Sequence, residues 1–406
     1  MALSRAASPL SVLSRRDHIL ILFALSMGGF AIGTSEFAAM GLMPDMMRGL
    51  SISEQQVGHL ISAYALGVVV GAPLLAIVGA RLRRRPLLLA LMGFYALGNL
   101  TSALAPEYQA LLVFRFLAGL PHGAYFGVAA LVAASISRPE QRGVAVGRVM
   151  LGLTLATLVG NPLATWLGQL LSWRWAFALV ALIALLTVAL VARLLPGDAY
   201  EAPQRPLREL KAFNRMPVWL AMLLGSVGFA GMFCVFSYLA PTLTQVTGVS
   251  ERWIPPAMAT FGLGAVIGGQ LGGWLFDRFQ FRAIALILVW AVAVLLAFPC
   301  LALSRWTVLL GALLVGSMVA LGPALQTHLM DVAGEAQTLA AASNHSAFNI
   351  ANALGPWLGG MAVSAGFGWT ATGYVGAATA LAGLAVWWLA ARQPSELSGV
   401  AVRDCV

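Results

Sequence analysis

The sequence predicts an all-α integral membrane protein of twelve transmembrane helices in two six-helix halves. Three observations carry this: spanning-length apolar segments recur twelve times, Lys and Arg crowd alternate loops, and the second half repeats the first. Of 406 residues, 60% are apolar and 10% charged. A soluble domain carries about 25% charged residues, so most of this chain is built for lipid. A net charge of +9 would suit a nucleic-acid partner, but the loop distribution below accounts for it. Cys234, Cys300 and Cys405 are scattered, two in apolar segments and one in the tail, so no disulfide framework or metal spacing follows.

Residues 1–17 form a polar, basic tail. Ser14-Arg15-Arg16 before an apolar run has the look of a twin-arginine export signal. The run is a full span and more spans follow, so the two arginines are read as holding the N-terminus in the cytoplasm. The apolar segments are 18–43, 55–79, 86–105, 109–134, 144–170, 174–195, 217–243, 254–276, 281–303, 306–330, 336–364 and 369–391. Each is long enough to cross a bilayer as a helix. Between them, 196–216 is the longest polar interruption, with Pro196, Gly197, Pro203, Pro206 and several charges. It is read as a cytoplasmic linker between bundles 18–195 and 217–391, with a tail at 392–406.

With the N-terminus inside, the inner segments hold 19 of the 24 Lys and Arg residues. The outer segments hold Arg48, Arg174, Arg252 and Arg305, and Arg115 lies within a span. This bias places both termini in the cytoplasm and explains the basic charge without nucleic acid. The halves repeat weakly. Gly29-Phe30-Ala31 recurs as Gly228-Phe229-Ala230 at an offset of 199, as Ser51 does in Ser250. Half-chain repetition marks a duplicated transporter.

Gly273-Trp274-Leu275-Phe276-Asp277-Arg278 resembles the loop motif of the major facilitator superfamily. In the first-half copy, Arg81, Arg84, Arg85 and Leu88 keep the pattern, while Ala80 and Arg83 replace its Asp and second Gly. Gly33-Thr34-Ser35-Glu36-Phe37 with Met40-Gly41-Leu42-Met43-Pro44-Asp45 is similar to helix 1 of bacterial arabinose/sugar-efflux-like permeases. Arg115-Phe116-Leu117-Ala118-Gly119-Leu120-Pro121-His122-Gly123-Ala124 resembles their helix 4. Gly160-Asn161-Pro162 with Gly168 resembles the Gly/Pro motif of drug/proton antiporters. The resemblance implies a bacterial inner-membrane transporter, proton-coupled, exporting a small organic solute such as a sugar, nucleoside or drug. It implies the proton gradient as energy source, no cofactor and a working monomer.

Ionisable groups inside a membrane are costly and mark functional candidates. Glu36 lies about 7 Å and Arg115 about 9 Å outside their helix midpoints, at 1.5 Å per residue. Similar depth suggests a direct or water-bridged pair acting as a proton switch; a static ion pair is the alternative. His122 stands two turns from Arg115 as a proton relay or an interhelical hydrogen-bonder. His59 reads as structural, His18 and His328 as solvated.

In the second half, His345, Asn349 and Asn352 form a polar stripe, with Asn344 beside it. Amides there can recognise hydroxyls or a nucleobase edge, or bond neighbouring helices. Asn99, near Tyr95, and Asn161 are weaker candidates. Phe37, Phe126, Phe233, Phe236 and Tyr238 offer apolar walls or simple packing. Gly152, Gly160, Pro162 and Gly168 in the fifth segment match Gly355, Pro356, Gly359 and Gly360 in the eleventh. Both sets suit a rocking interface or ordinary close packing. The loop residues Arg81 to Arg85 and Asp277–Arg278 are expected to latch the cytoplasmic side. A proton-linked importer is the nearest rival function. A membrane enzyme or sensor would need a nucleophile–base cluster, metal ligands or a signalling domain, and none is seen.

Overall fold

A computed structural model describes residues 14–79, 82–138, 141–196, 215–333 and 337–392. They form twelve long helices and, among the described residues, no strand. The first six are α1 (Arg15–Gly41), α2 (Glu54–Gly79), α3 (Arg84–Leu104), α4 (Tyr108–Ser135), α5 (Val144–Leu170) and α6 (Trp173–Leu194). The second six are α7 (Met216–Gln245), α8 (Glu251–Phe279), α9 (Phe281–Leu301), α10 (Arg305–Ala333), α11 (Gln337–Ala362) and α12 (Ala371–Ala391). Eleven are long and apolar enough to cross a membrane. The twelfth, α11, has 26 residues and carries the polar stripe. Backbone polar groups cannot be left bare in lipid, so helices satisfy them internally. Leu97, Leu182, Leu286 and Leu381 are accordingly exposed along mid-helix faces.

Within the first half, α2 packs on α4, α3 on α6, and α1 on α5. Adding six to each number gives the second half: α8 on α10, α9 on α12, α7 on α11. The halves meet along a seam where α2 packs on α11 and α5 on α8, and these pairs also exchange under the same rule. The chain thus forms two pseudo-symmetric six-helix bundles. Enclosure follows the same plan: 72% of the apolar window of α7 is buried but only 22% of that of α12, so α7 is central and α12 borders lipid.

The start of α1 and the end of α12 lie on one face, here the near face; the opposite one is the far face. At the near face Ser14 caps α1, its Oγ accepting from Asp17 N at 3.1 Å. At the far face α1 stops at Gly41, short of residue 43. Pro44 opens a separate short helix, Met43–Leu50, which caps the bundle end. Helix α5 contains a widened turn at Ala156–Gly160, and α7 is interrupted at Phe229 and Tyr238.

Most of the stripe glycines make close packing contacts within a bundle. A Cβ on Gly152 would strike the Ser26 carbonyl, on Gly160 the Thr34 hydroxyl, and on Gly168 Leu42. These seat α1 inside its own bundle. Gly355 and Gly359 likewise seat α7, against Phe233 and Tyr238. Pro162 opens the last segment of α5, and Pro356 lies within α11. Between the bundles the close approaches are Gly262 of α8 against Thr157 and Leu158, Gly58 of α2 against Tyr238 and the Pro356 carbonyl, and Gly360 beside Gln55 of α2. Small residues let helix backbones approach closely both within a bundle and at the seam.

The loop motifs also depart from expectation. Arg84 donates to the Leu131 carbonyl at 3.0 Å, and Arg85 donates to the Ala192 carbonyl, both within the first bundle. Asp277 and Arg278 are exposed and form no ion pair among the described residues. Gly273 faces open space; its neighbour Gly272 is the one pressed on Ala320 of α10. Arg81 lies outside the described residues. Arginine guanidiniums near helix ends readily satisfy exposed carbonyls of their own bundle, as Arg84 and Arg85 do here.

Candidate functional site

Successive residues on α1 point about 100° apart, and this separates Glu36 from Arg115. Ser35 turns into the first bundle. Its Oγ donates to Asn99 Oδ1 at 2.5 Å and accepts from an Arg115 guanidinium nitrogen at 3.0 Å. A second nitrogen of Arg115 donates to the Ser35 carbonyl at 3.2 Å. The guanidinium also lies over the Tyr64 ring, 4.3 Å from its centroid, and 5.1 Å from that of Phe177. Glu36 turns the other way, across the seam. Its Oε1 accepts from Asn352 Nδ2 of α11 at 3.1 Å. The expected direct Glu36–Arg115 pair is therefore absent: no ion pair joins them within 4.0 Å. Both side chains are buried, and Glu36 is the one fully buried carboxyl among the described residues.

His122 is drawn into the Arg115 side. Its Nδ1 is hydrogen-bonded to the Tyr64 hydroxyl at 3.1 Å, which also meets the Tyr95 hydroxyl at 3.2 Å. Tyr95 donates onward to the Ile32 carbonyl, and Asn99 Nδ2 to the Tyr95 carbonyl at 2.9 Å. His122 and Asn99 thus belong to one polar network inside the first bundle, and neither bonds Glu36. That network holds Arg115, and within it Asn99 bonds Ser35 and Tyr95.

On α11 the stripe divides. Asn352 faces Glu36, with its Oδ1 left unpartnered. Asn349 bonds the His345 carbonyl one turn back at 3.0 Å, and its Oδ1 has no partner. His345 stacks on Phe126 at 5.8 Å, nearer the near face. Phe37 meets Phe233 and Phe236 of α7 across the seam at 6.5 and 6.0 Å. Tyr238 departs from its expected solute-binding role, because its hydroxyl donates to the Pro356 carbonyl at 2.6 Å and so ties α7 to α11. Among the other histidines, His18 meets Ser137 at 2.9 Å and His328 packs on Phe281, so neither is simply solvated.

The far face holds a group that sequence reading missed. Arg48 of the short helix donates to both carboxylate oxygens of Glu251, at the start of α8, and to Asp45 at 2.8 Å. Gln169 Nε2 donates to the Glu251 carbonyl at 2.9 Å. Charge joins the two bundles here at the loop level, where sequence patterning offers only an isolated arginine and a glutamate 203 residues on. The Glu251 hydrogen bond, chiefly, raises Arg48 above its ordinary value. Burial raises Asp45; Arg48 opposes this and the Glu251 charge adds to it. With Ser62 donating to the Ala353 carbonyl at 2.8 Å, these contacts close the far half of the seam.

Comparison with known proteins agrees with this architecture. The chain matches the family described as Major Facilitator Superfamily over residues 25–338, with a second match over 253–403. It is 38% identical to the inner membrane transport protein YdhP of Escherichia coli K12, over 93% of this chain and 97% of the relative. It is 33% identical to a chloramphenicol resistance protein of Streptomyces lividans, over 83% and 87%. A bacterial homologue of the human lysosomal transporter Spinster, solved inward-facing and occupied, superposes with a TM-score of 0.74 at 18% identity, covering 94% and 98%.

Proposed function

The chain belongs to the Major Facilitator Superfamily and is a multi-pass membrane transporter, and on that premise we propose that it exports a small organic solute in exchange for protons. The observation that carries this reading is the hydrogen bond from Asn352 to Glu36 across the seam. A lone carboxyl in a low-dielectric interior is held there at a cost of several kcal/mol when charged, on the order of 3 kcal/mol on insertion scales. A proton removes that cost. Because the amide donor sits on the opposite bundle, parting the bundles changes the carboxyl's partner. Proton exchange and bundle movement are thus coupled at one bond.

The near face is the cytoplasmic one, by the Lys and Arg bias. The far side then opens to the periplasm, where Glu36 takes a proton as solute departs. Arg115, bonded to the neighbouring Ser35 in the first bundle's network, supplies positive potential without a direct bond to Glu36. Export agrees with the name of the Streptomyces relative, since a transporter confers resistance by removing a drug. The single chain carries the whole seam and works as a monomer, with the proton gradient as its energy source.

Proteoliposomes with an imposed pH gradient test this. With an acidic lumen, a labelled solute from a panel of pentoses, nucleosides and amphenicols is expected to accumulate inside as protons leave. Accumulation driven by an alkaline lumen would make the protein an importer. Transport indifferent to the gradient would remove proton coupling.

A further inference from the structure

Asn161 is 1% exposed, and both its amide oxygen and its amide nitrogen lack a partner within the protein. Among the described residues, no other buried side-chain amide lacks a partner at both its atoms. Each such atom costs about 1–3 kcal/mol, so the arrangement calls for a reason. Asn161 directly follows the widened turn Ala156–Gly160, and such turns gather at functional sites.

Its position can be read from its neighbours. Gly160 abuts Thr34 of α1, and Thr165 abuts Gly41. Both helices run from near to far face, so Asn161 stands at the depth of residues 36–38 on α1. One turn earlier, Thr157 and Leu158 abut Gly262 of α8 across the seam, and Asn161 follows them at i+4 and i+3, on the same side of α5. It therefore occupies the corner where α1, α5 and α8 meet, at the level of Glu36. Aromatic rings wall that corner: Phe37 meets Phe236, and Phe236 stacks on Phe261 with centroids 3.6 Å apart. Ser237, beside Phe236, has a fully buried hydroxyl oxygen without a partner. Arg115 is turned into the first bundle, so no cation faces the corner.

We propose that Asn161 is a solute-recognition residue, whose amide pairs with the lactam edge of an uncharged flat ring that enters this corner when the bundles part. An amide offers one acceptor and donors in one plane, which a lactam edge (one N–H beside one C=O) complements in two bonds. Flat aromatic walls suit a flat ring. The unspent amide also has a thermodynamic consequence: the closed, empty transporter bears its cost, and a loaded one does not. This rests on the transporter reading, but it can fail separately from proton coupling.

The test is binding to the full chain in detergent, by thermal shift and calorimetry. The probes are uridine, thymine and 2-pyridone, each against its fully N-methylated analogue (3-methyluridine, 1,3-dimethylthymine and 1-methyl-2-pyridone), which lacks the lactam donor. At least one lactam probe is expected to bind, with its N-methyl partner about tenfold weaker or more. Asn161→Leu and Asn161→Ser should both lose that discrimination. Methylation of the probe needs no variant, so a misfolded mutant leaves the comparison intact. If no lactam probe binds, or if methylation makes no difference, or if folded Asn161 variants discriminate as the parent does, the assignment is wrong. Retained lactam discrimination alongside gradient-independent transport would instead remove proton coupling and leave Asn161 in place.

Discussion

Glu36 Oε1 and Asn352 Nδ2 stand 3.1 Å apart across the bundle seam and 316 residues apart in the chain. The buried carboxyl of one bundle is thus held by an amide of the other. Interhelical hydrogen bonds in membranes contribute about 0.6–1.7 kcal/mol, enough to bias a two-state equilibrium about threefold to twentyfold. Asn352→Leu is expected to shift transport toward a different pH optimum without unfolding the protein. A double-mutant cycle with Glu36→Gln, read by thermal unfolding, should give a coupling in that range. Additive behaviour would mean the bond is unimportant.

Arg115 has two hydrogen bonds to Ser35 and two rings about it, but no anion within 4.0 Å. Breaking a buried ion pair typically costs about 3–5 kcal/mol. Arg115→Met should cost clearly less, because no partner charge is stranded at contact distance, yet it should abolish proton-driven transport. A stability loss of ion-pair size would restore the direct pair.

The far-face group is a weak latch. The side chains of Arg48 and Glu251 are 56% and 40% exposed, and exposed pairs contribute about 0–1 kcal/mol. Arg48→Ala should raise the far-open population by at most about fivefold. Arg48→Glu combined with Glu251→Arg should restore the parent value. Spin labels at Met47→Cys and Gln245→Cys, which flank one cleft between the bundles, report the distance in a background lacking Cys234, Cys300 and Cys405.

The same labels test pH dependence. Burial, chiefly, raises Asp45 above the usual carboxyl value, so the latched state binds a proton more tightly than a solvated Asp45 does. By linkage, lowering the far-side pH from about 7 to about 5 should favour the latched distance, and raising it should release it. Asp45→Asn should abolish that response. A response that persists in Asp45→Asn would place the titrating group elsewhere.

Gly152 receives the Ser26 carbonyl, a backbone atom that cannot step aside. Gly152→Val should therefore destabilise the first bundle by about 1–3 kcal/mol or more, seen as a lower melting temperature in detergent. Gly273→Ala, facing open space, should leave it unchanged.

The helices, their pairing into two bundles and the buried carboxyl were legible in sequence because lipid imposes a simple rule on composition. Depth was legible too, since rise per residue is fixed: Arg115 does reach the level of Glu36, bonding its neighbour Ser35. Azimuth was not. One residue of offset on α1 sends Ser35 to Arg115 and Glu36 to Asn352, and apolar helices carry little pattern to mark that rotation. Helix α1 shows no single apolar stripe for this reason: its buried residues run continuously from Ala31 to Gly41. The Arg48–Glu251 latch was hidden differently, because loop charges meet only through the tertiary arrangement.

The central claim is that Glu36 carries the proton. Lumenal pH and labelled solute should be followed together in proteoliposomes bearing the parent protein or Glu36→Gln. The expected result is that the variant still exchanges labelled for unlabelled solute at equal pH, but neither moves protons nor accumulates solute against a gradient. Gradient-driven accumulation by Glu36→Gln at the parent rate would contradict the account.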